Sequence, residues 1–262
     1  MTLRLLVRLF LVQGLWNYRT LLGHGASWVL LPELRRTAPG RGEGLEEALE
    51  RAAEPFNAHP YLAGFAIGAL VRLEEQATPP DEIRRFRDVV RAPLGALGDR
   101  LVWAAWLPMT LLAAIFAIAL GVGPLRAVIG FLLVYNLLHL VLRWWALSAG
   151  LAHGRAIAGA LSAARLPSHA ERIGRAGVLL LGAIGGFLGV RSIQLWAASG
   201  QLEPASAAIA ILGGLLLFGS GLRPRREAVD WVPLTMILLV IGLFLAGPLL
   251  APDLLPAQPA RP

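Results

Sequence analysis

From residue 101 onward the chain alternates long apolar segments with short polar ones. The first segment, 101–120, contains twenty residues and no charge. As a helix rising about 1.5 Å per residue it would be roughly 30 Å long, which is the thickness of a bilayer core. The pattern predicts five transmembrane helices, at 101–120, 127–150, 176–198, 205–222 and 231–250.

The first hundred residues carry shorter and more polar patterns. Segment 3–22 is typical of an amphipathic helix, because at 100° per residue its arginines share one side and Gln13 and Asn17 fall nearly opposite. Either the arginines face lipid phosphates in an interfacial helix, or Gln13 and Asn17 point into protein or lipid and need partners. The arginines concerned are Arg4, Arg8 and Arg19.

Segment 61–71 is apolar but has only eleven residues, which is too short to cross a bilayer. This length favours a re-entrant or interfacial helix. Together the patterns predict an all-α, polytopic integral membrane protein in three parts. Residues 1–100 form an amphipathic and re-entrant helical region, 101–252 a transmembrane bundle, and 253–262 a short external tail.

Composition and charge fit a membrane protein. The chain is 56% hydrophobic and 16% charged. Its net charge is +7, and it contains arginine but no lysine. The arginines lie mainly between apolar segments, which favours positive-inside topology and contact with anionic lipid over nucleic-acid binding. Placing the basic loops 155–175 and 223–226 in the cytoplasm puts residues 1–100 on the cytoplasmic side and the C-terminus outside.

Several short motifs in residues 10–155 resemble those of subunit IID of the mannose-family sugar phosphotransferase system (PTS). Their order and rough spacing match that family, whereas the C-terminal third matches only in hydropathy. This chain has Arg100 after the Gly-Asp pair, where the family usually has proline, and tryptophans in place of a tyrosine pair. The motifs are Gln13-Gly14-Leu15-Trp16-Asn17-Tyr18, Pro32-Glu33-Leu34-Arg35-Arg36, Phe56-Asn57-Ala58-His59-Pro60, Glu74-Glu75-Gln76, Ala92-Pro93-Leu94-Gly95-Ala96-Leu97-Gly98-Asp99 with Trp103, Tyr135-Asn136, and Arg143-Trp144-Trp145.

The resemblance implies a membrane subunit of a hexose permease in the bacterial inner membrane. In that family IID pairs with the membrane subunit IIC to form the sugar path, and the pairs assemble into a higher oligomer. Soluble IIA and IIB subunits carry out phosphoryl transfer, so IID is not itself catalytic and needs no cofactor. Mannose, fructose and sorbose are among the family's hexoses. The alternative is a transport-inactive regulatory or scaffold component of such a relay.

Six polar residues of the first hundred are candidates for the sugar path. Three of them have a structural alternative: Asn57 could cap a helix, Glu74 could end a helix in solvent or pair with arginine, and Asp99 could lie at the positive end of a helix dipole. The six are Gln13, Asn17, Asn57, His59, Glu74 and Asp99.

A polar stripe in the second predicted span contains Asn136, His139 and Arg143, spaced i, i+3, i+7. Polar groups inside a bilayer are costly and normally face a bundle interior, so we expect these three to brace helices or contact a partner subunit. A membrane enzyme is the third class considered. No Ser-His-Asp pattern or P-loop supports it, cysteine is absent, and the histidines show no metal-ligand spacing.

Overall fold

The computed structural model describes residues 2–39, 44–199 and 213. These residues form helices without a β-strand, which confirms the all-α prediction; the extended pairing described is limited to isolated bridges that join Leu21 to Asn17 and to Phe56. The helices are α1 (Thr2–Leu9), α2 (Gly23–Thr37), α3 (Leu45–Ala53), α4 (Ala63–Glu75), α5 (Pro80–Gly98), α6 (Leu107–Ala119), α7 (Pro124–His153), α8 (Ile157–Ala163) and α9 (Leu166–Ser199).

The chain forms two compact units. The first comprises Met1–Leu107 with Leu132–Glu171, and the second comprises Pro108–Phe131 with Arg172–Pro262. In the second unit, Leu112 of α6 packs against Leu181 and Ile184 of α9 to form a small apolar core.

The centre of the first unit is α4. Every residue from Ala63 to Val71 is apolar and buried, so this part of the helix has no polar face. Small residues let its backbone approach α7 closely: a Cβ on Gly64 would lie 2.8 Å from the backbone nitrogen of Leu147, and one on Gly68 would lie 2.6 Å from that of Leu151. Close approach through small residues is the usual basis of helix packing in membranes.

Two helical segments, Pro80–Ala119 and Pro124–Arg191, contain stretches long and apolar enough to cross a membrane. The first three predicted spans fall within these segments or run into the end of α9, whereas 205–222 and 231–250 lie outside the described residues apart from Gly213. The number of spans therefore stays a prediction.

Helix α5 begins where the sequence provides an N-terminal signal. Pro80 occupies the first turn, where no backbone N–H is needed, and Asp81 and Glu82 face the positive end of the dipole. The helix then continues through a π-helical segment, Asp99–Trp106, into α6. Asp99 therefore lies in the middle of a helical segment, and its expected placement at a helix N-terminus is wrong.

The predicted amphipathic helix over 3–22 is also wrong in extent, because α1 ends at Leu9. The Asn17 side-chain oxygen accepts hydrogen bonds from the backbone N–H groups of Arg19 and Thr20, at 3.0 and 2.9 Å. Such local bonds compete with a helix. Arg19 therefore does not share a helix face with the arginines of α1.

Candidate functional site

Helix α4 has a buried polar side chain near each end. Before its start lies His59, with 1% of its surface exposed, and in its last turn lies Glu74, with 4% exposed. The candidate site is therefore described around α4, which has a buried polar side chain near each end.

Glu74 forms an ion pair with Arg51 of α3, with 2.8 Å between Oε1 and the guanidinium nitrogen. The two side chains are 4% and 1% exposed. The neighbouring carboxylate behaves differently: Glu75 binds Arg36 and Arg72 at 2.7 and 3.2 Å, where both arginines are about half exposed. The sequence left open whether Glu74 pairs with arginine, and the structure shows that it does.

A second buried guanidinium supports the end of α3. Arg87 of α5 donates to the backbone carbonyls of Arg51 and Glu54, the latter at 2.8 Å. A cation at a helix C-terminus complements carbonyls that lack helical partners. Arg87 thereby fixes the backbone that carries Arg51.

The His59 imidazole is enclosed by backbone and rings. Its Nδ1 accepts the backbone N–H of Tyr61 at 3.2 Å, so the neutral ring carries its proton on Nε2. Nε2 is buried and has no hydrogen-bond partner among the described residues. Trp103 lies 5.3 Å away between ring centroids, and Gly98 packs so closely that a Cβ there would overlap the imidazole. Burial, with a smaller effect of Arg143, lowers the pKa of His59 to about 4.

From His59 a chain of polar rings runs to α7. The Tyr61 ring stacks on His139 with 4.0 Å between centroids, and its hydroxyl lies 3.0 Å from that of Tyr135. His139 in turn accepts a hydrogen bond from Nε of Arg143 at 2.5 Å. We call these five residues, which all belong to the first unit, the imidazole–tyrosine cluster.

Arg143 connects this cluster to the N-terminal helix. It is 2% exposed and donates to the backbone carbonyl of Leu9, the last residue of α1. Its guanidinium also lies 5.0 Å from the Phe10 ring and 5.3 Å from the Tyr61 ring, within cation–π distance. Arg143 thus braces α1 against α7, in keeping with the structural role considered for it.

The remaining predicted path residues do not converge on this cluster. Gln13, Asn57 and Asp99 are exposed, and the Asn57 amide lies beside Gly95, 3.6 Å from where a Cβ would stand. Asn17 belongs to its own turn, where its amide nitrogen contacts Thr20 and His24.

The predicted stripe on α7 divides in the same way. Asn136 is exposed and donates to the carbonyl of Leu132 in its own helix, while His139 and Arg143 face the cluster. Arg100, which stands where the family usually has proline, pairs with Glu171 at 2.9 Å.

Sequence reasoning missed Arg51, Tyr61 and Tyr135 as site residues. Arg51 could have been found from the sequence, because it lies on the same side of α3 as Ala48 and Ala52, and both of these alanines are buried. Tyr61 and Tyr135 carry no such local signal, since only the fold joins residues 74 positions apart. The assembled groups offer imidazole, phenol and guanidinium donors, which suits binding of a polar solute or of a partner's polar groups.

The helices and their long apolar segments define an all-helical protein of the membrane class. The chain belongs to the mannose/fructose/sorbose family of PTS IID components, whose family model matches residues 1–187.

Curated relatives agree with this assignment. The chain is 27% identical over 179 residues to the mannose-specific EIID component of Escherichia coli K12, covering 66% of this chain and 62% of the relative. It is 27% identical over 177 residues to the fructose permease IID component of Bacillus subtilis, covering 65% and 63%. The chain therefore spans less than two thirds of the length of these relatives.

The fold is shared with a chain of the cryo-EM complex of the mannose transporter ManYZ with microcin E492 (MceA). The TM-score is 0.54 at 21% identity, covering 98% of this chain and 97% of that one. A second solved membrane protein matches with a TM-score of 0.61 at 20% identity, covering 94% and 96%. At these identities the likeness concerns the fold alone.

Proposed function

We propose that this chain forms, with a IIC subunit, the sugar path of a PTS hexose permease in the bacterial inner membrane. Family membership over residues 1–187 supports this role, as do relatives named for mannose and fructose. Phosphoryl transfer would be done by soluble IIA and IIB subunits, and the IIC–IID pairs would form a higher oligomer. Residues 1–100 would face the cytoplasm and the C-terminus the outside.

The observation that carries the proposal is α4. A helix lying at the membrane surface would expose one polar face along its length, but the first nine residues of α4, Ala63 to Val71, are apolar and buried on every side. Its 13 residues are too few to span a bilayer. Irregular backbone such as the segment before α4 is tolerated at membrane depth only inside protein or beside a water-filled cavity. A re-entrant α4 beside a sugar path satisfies both conditions.

The buried Arg51–Glu74 pair changes which residues can test the sugar path. Loss of Glu74 would leave a buried guanidinium without its carboxylate, so failed uptake would report misfolding as readily as a lost sugar contact. Asn57 is the sharper probe, because its side chain is exposed beside Gly95 and no described hydrogen bond depends on it. We expect Asn57→Ala to reduce uptake at least tenfold without changing the amount of protein in the membrane.

The experiment measures uptake of radiolabelled hexoses in cells that express IIA, IIB and IIC with or without this chain. Glu50→Ala, an exposed polar substitution on α3, is the matched control and should leave uptake unchanged. Normal uptake by Asn57→Ala would remove Asn57 from the path. Uptake that proceeds equally without the chain would contradict the permease role and favour a scaffold instead.

A further inference from the structure

A cavity of about 460 Å³ opens in the second unit, beside the turn that follows α6. One wall is the end of α6 and the turn itself, at Leu120 and Gly121. The other wall is a single face of α9, since its residues are spaced i, i+3, i+4 and i+7. These α9 residues are Phe187, Val190, Arg191 and Gln194.

Arg191 is the sole charged residue of segment 176–198, and its exposed side chain is part of this lining. Within the described part of the chain, no carboxylate lies within ion-pair distance of Arg191. Glu171, the preceding acid in the sequence, is twenty residues back along α9, roughly 30 Å at helical rise, and binds Arg100. An exposed arginine near the end of an apolar span can reach the membrane interface, where it is able to bind an anionic group.

The cavity lining contains both polar hydrogen-bond donors and apolar side chains. A guanidinium presents planar, paired N–H donors that match a phosphate oxygen pair, and the Gln194 amide, one turn further on, adds another donor. Leu120, Phe187 and Val190 supply apolar walls, which suit acyl and glycerol carbons but not a hydrated free anion.

The position of the cavity points to a lipid source for such an anion. Helix α6 ends at Ala119, and the chain turns through Gly121 at φ +93° before α7 begins at Pro124. A turn between two apolar helices lies at the membrane–water interface, where phospholipid phosphates are found. The volume is that of an ordinary ligand pocket and would hold a headgroup with its glycerol, leaving the tails outside.

We propose that this cavity binds an anionic phospholipid, whose phosphodiester contacts Arg191 and Gln194 and whose acyl chains follow Phe187 and Val190. The proposal depends on membrane insertion and not on sugar transport, so failure of one does not decide the other.

Native mass spectrometry of the full chain, purified with added phosphatidylglycerol, tests the site. We expect a retained phosphatidylglycerol adduct that Arg191→Gln weakens at least tenfold. Arg126→Gln is the matched control, because Arg126 is an exposed arginine of the second unit that does not line the cavity; it should change binding less than twofold. Arg191→Lys keeps the charge but loses the paired donors, so it should bind phosphatidylglycerol with intermediate strength. If Arg191→Gln fails to fold, the comparison of Arg191→Lys with the parent chain tests the site instead.

Three results would overturn the proposal. The first is equal retention of phosphatidylglycerol by the parent chain and by Arg191→Gln. The second is equal retention of phosphatidylcholine and phosphatidylglycerol, since the site would then not select an anionic lipid. The third is displacement of the lipid by millimolar inorganic phosphate, which would identify a soluble anion as the occupant.

Discussion

Glu74 and Arg51 form an ion pair at 2.8 Å in the interior of the first unit, between the last turn of α4 and the last turns of α3. One residue further along, Glu75 pairs with arginines at the surface. Two adjacent carboxylates therefore occupy very different environments, and their substitution should have very different costs.

Replacing Glu74 by alanine should destabilise the protein by about 3–5 kcal/mol, because the buried guanidinium of Arg51 would lose its carboxylate. Replacing Glu75 by alanine should cost less than about 1 kcal/mol, since its partners are solvent-exposed. Thermal unfolding of detergent-solubilised variants measures both. The double substitution Arg51→Met with Glu74→Leu should recover much of the loss, and equal melting of the two single variants would contradict the prediction.

Gly68→Ala should loosen the contact between α4 and α7. Its Cβ would lie 2.6 Å from the backbone nitrogen of Leu151, which cannot move away as a flexible side chain could. Overpacking of this kind costs about 1–3 kcal/mol. Gly159→Ala in α8 is the control, because a Cβ there meets open space, and it should be neutral or slightly stabilising. A melting temperature unchanged by Gly68→Ala would show that the two helices do not pack this closely.

His59 should make stability depend on pH. Its pKa in the fold is lowered to about 4, whereas an unfolded histidine titrates near 6.5. Above about pH 6.5 both states are neutral and stability is complete; as the pH falls towards 4 the unfolded state takes up a proton first, and stability decreases. Thermal unfolding between pH 7.5 and pH 5 measures this loss. His59→Asn, which keeps an acceptor for the Tyr61 N–H, should flatten the dependence, and an equally steep profile in that variant would assign it to other groups.

Arg143→Gln should release α1 from the first unit, because Arg143 donates to the carbonyl of Leu9 and contacts the Phe10 ring. The chain has no cysteine, so single cysteines report this directly. Leu5→Cys, at a position 1% exposed, should react slowly with a maleimide in the parent chain and at least tenfold faster beside Arg143→Gln.

Leu3→Cys is the control for this labelling, because Leu3 is 69% exposed and should react at the same rate in both backgrounds. If Leu5→Cys reacts slowly in both, α1 is held by its apolar contacts and not by Arg143.

Much of the fold follows from local pattern. The spacing of apolar residues correctly predicted that the described part of the chain is all-helical. The motifs between residues 10 and 155 indicated the IID family, which the match over residues 1–187 confirms. These inferences succeed because helix periodicity and short motifs depend on residues close together in sequence.

The same pattern failed where side chains compete with the backbone. Segment 3–22 has helical periodicity, but the Asn17 side-chain oxygen accepts hydrogen bonds from nearby backbone N–H groups. Such bonds compete with one long helix. Asp99 looked like a helix start because charge gives way to apolar residues there, yet the helical segment had begun at Pro80. The roles of Gln13, Asn57 and Asp99 in a sugar path, and the orientation in the membrane, stay predictions.

The sequence by itself determined the all-helical class, the apolar segments of membrane-spanning length and the family, because each of these depends on the spacing of neighbouring residues. Only the tertiary structure decided which polar groups are buried together. Arg143 donates a hydrogen bond to a carbonyl 134 positions away, and Arg51 donates one to a carboxylate 23 positions away. Such contacts depend on how helices pack through glycines and on the cost of leaving a buried charge unpaired, and neither is visible in a local pattern.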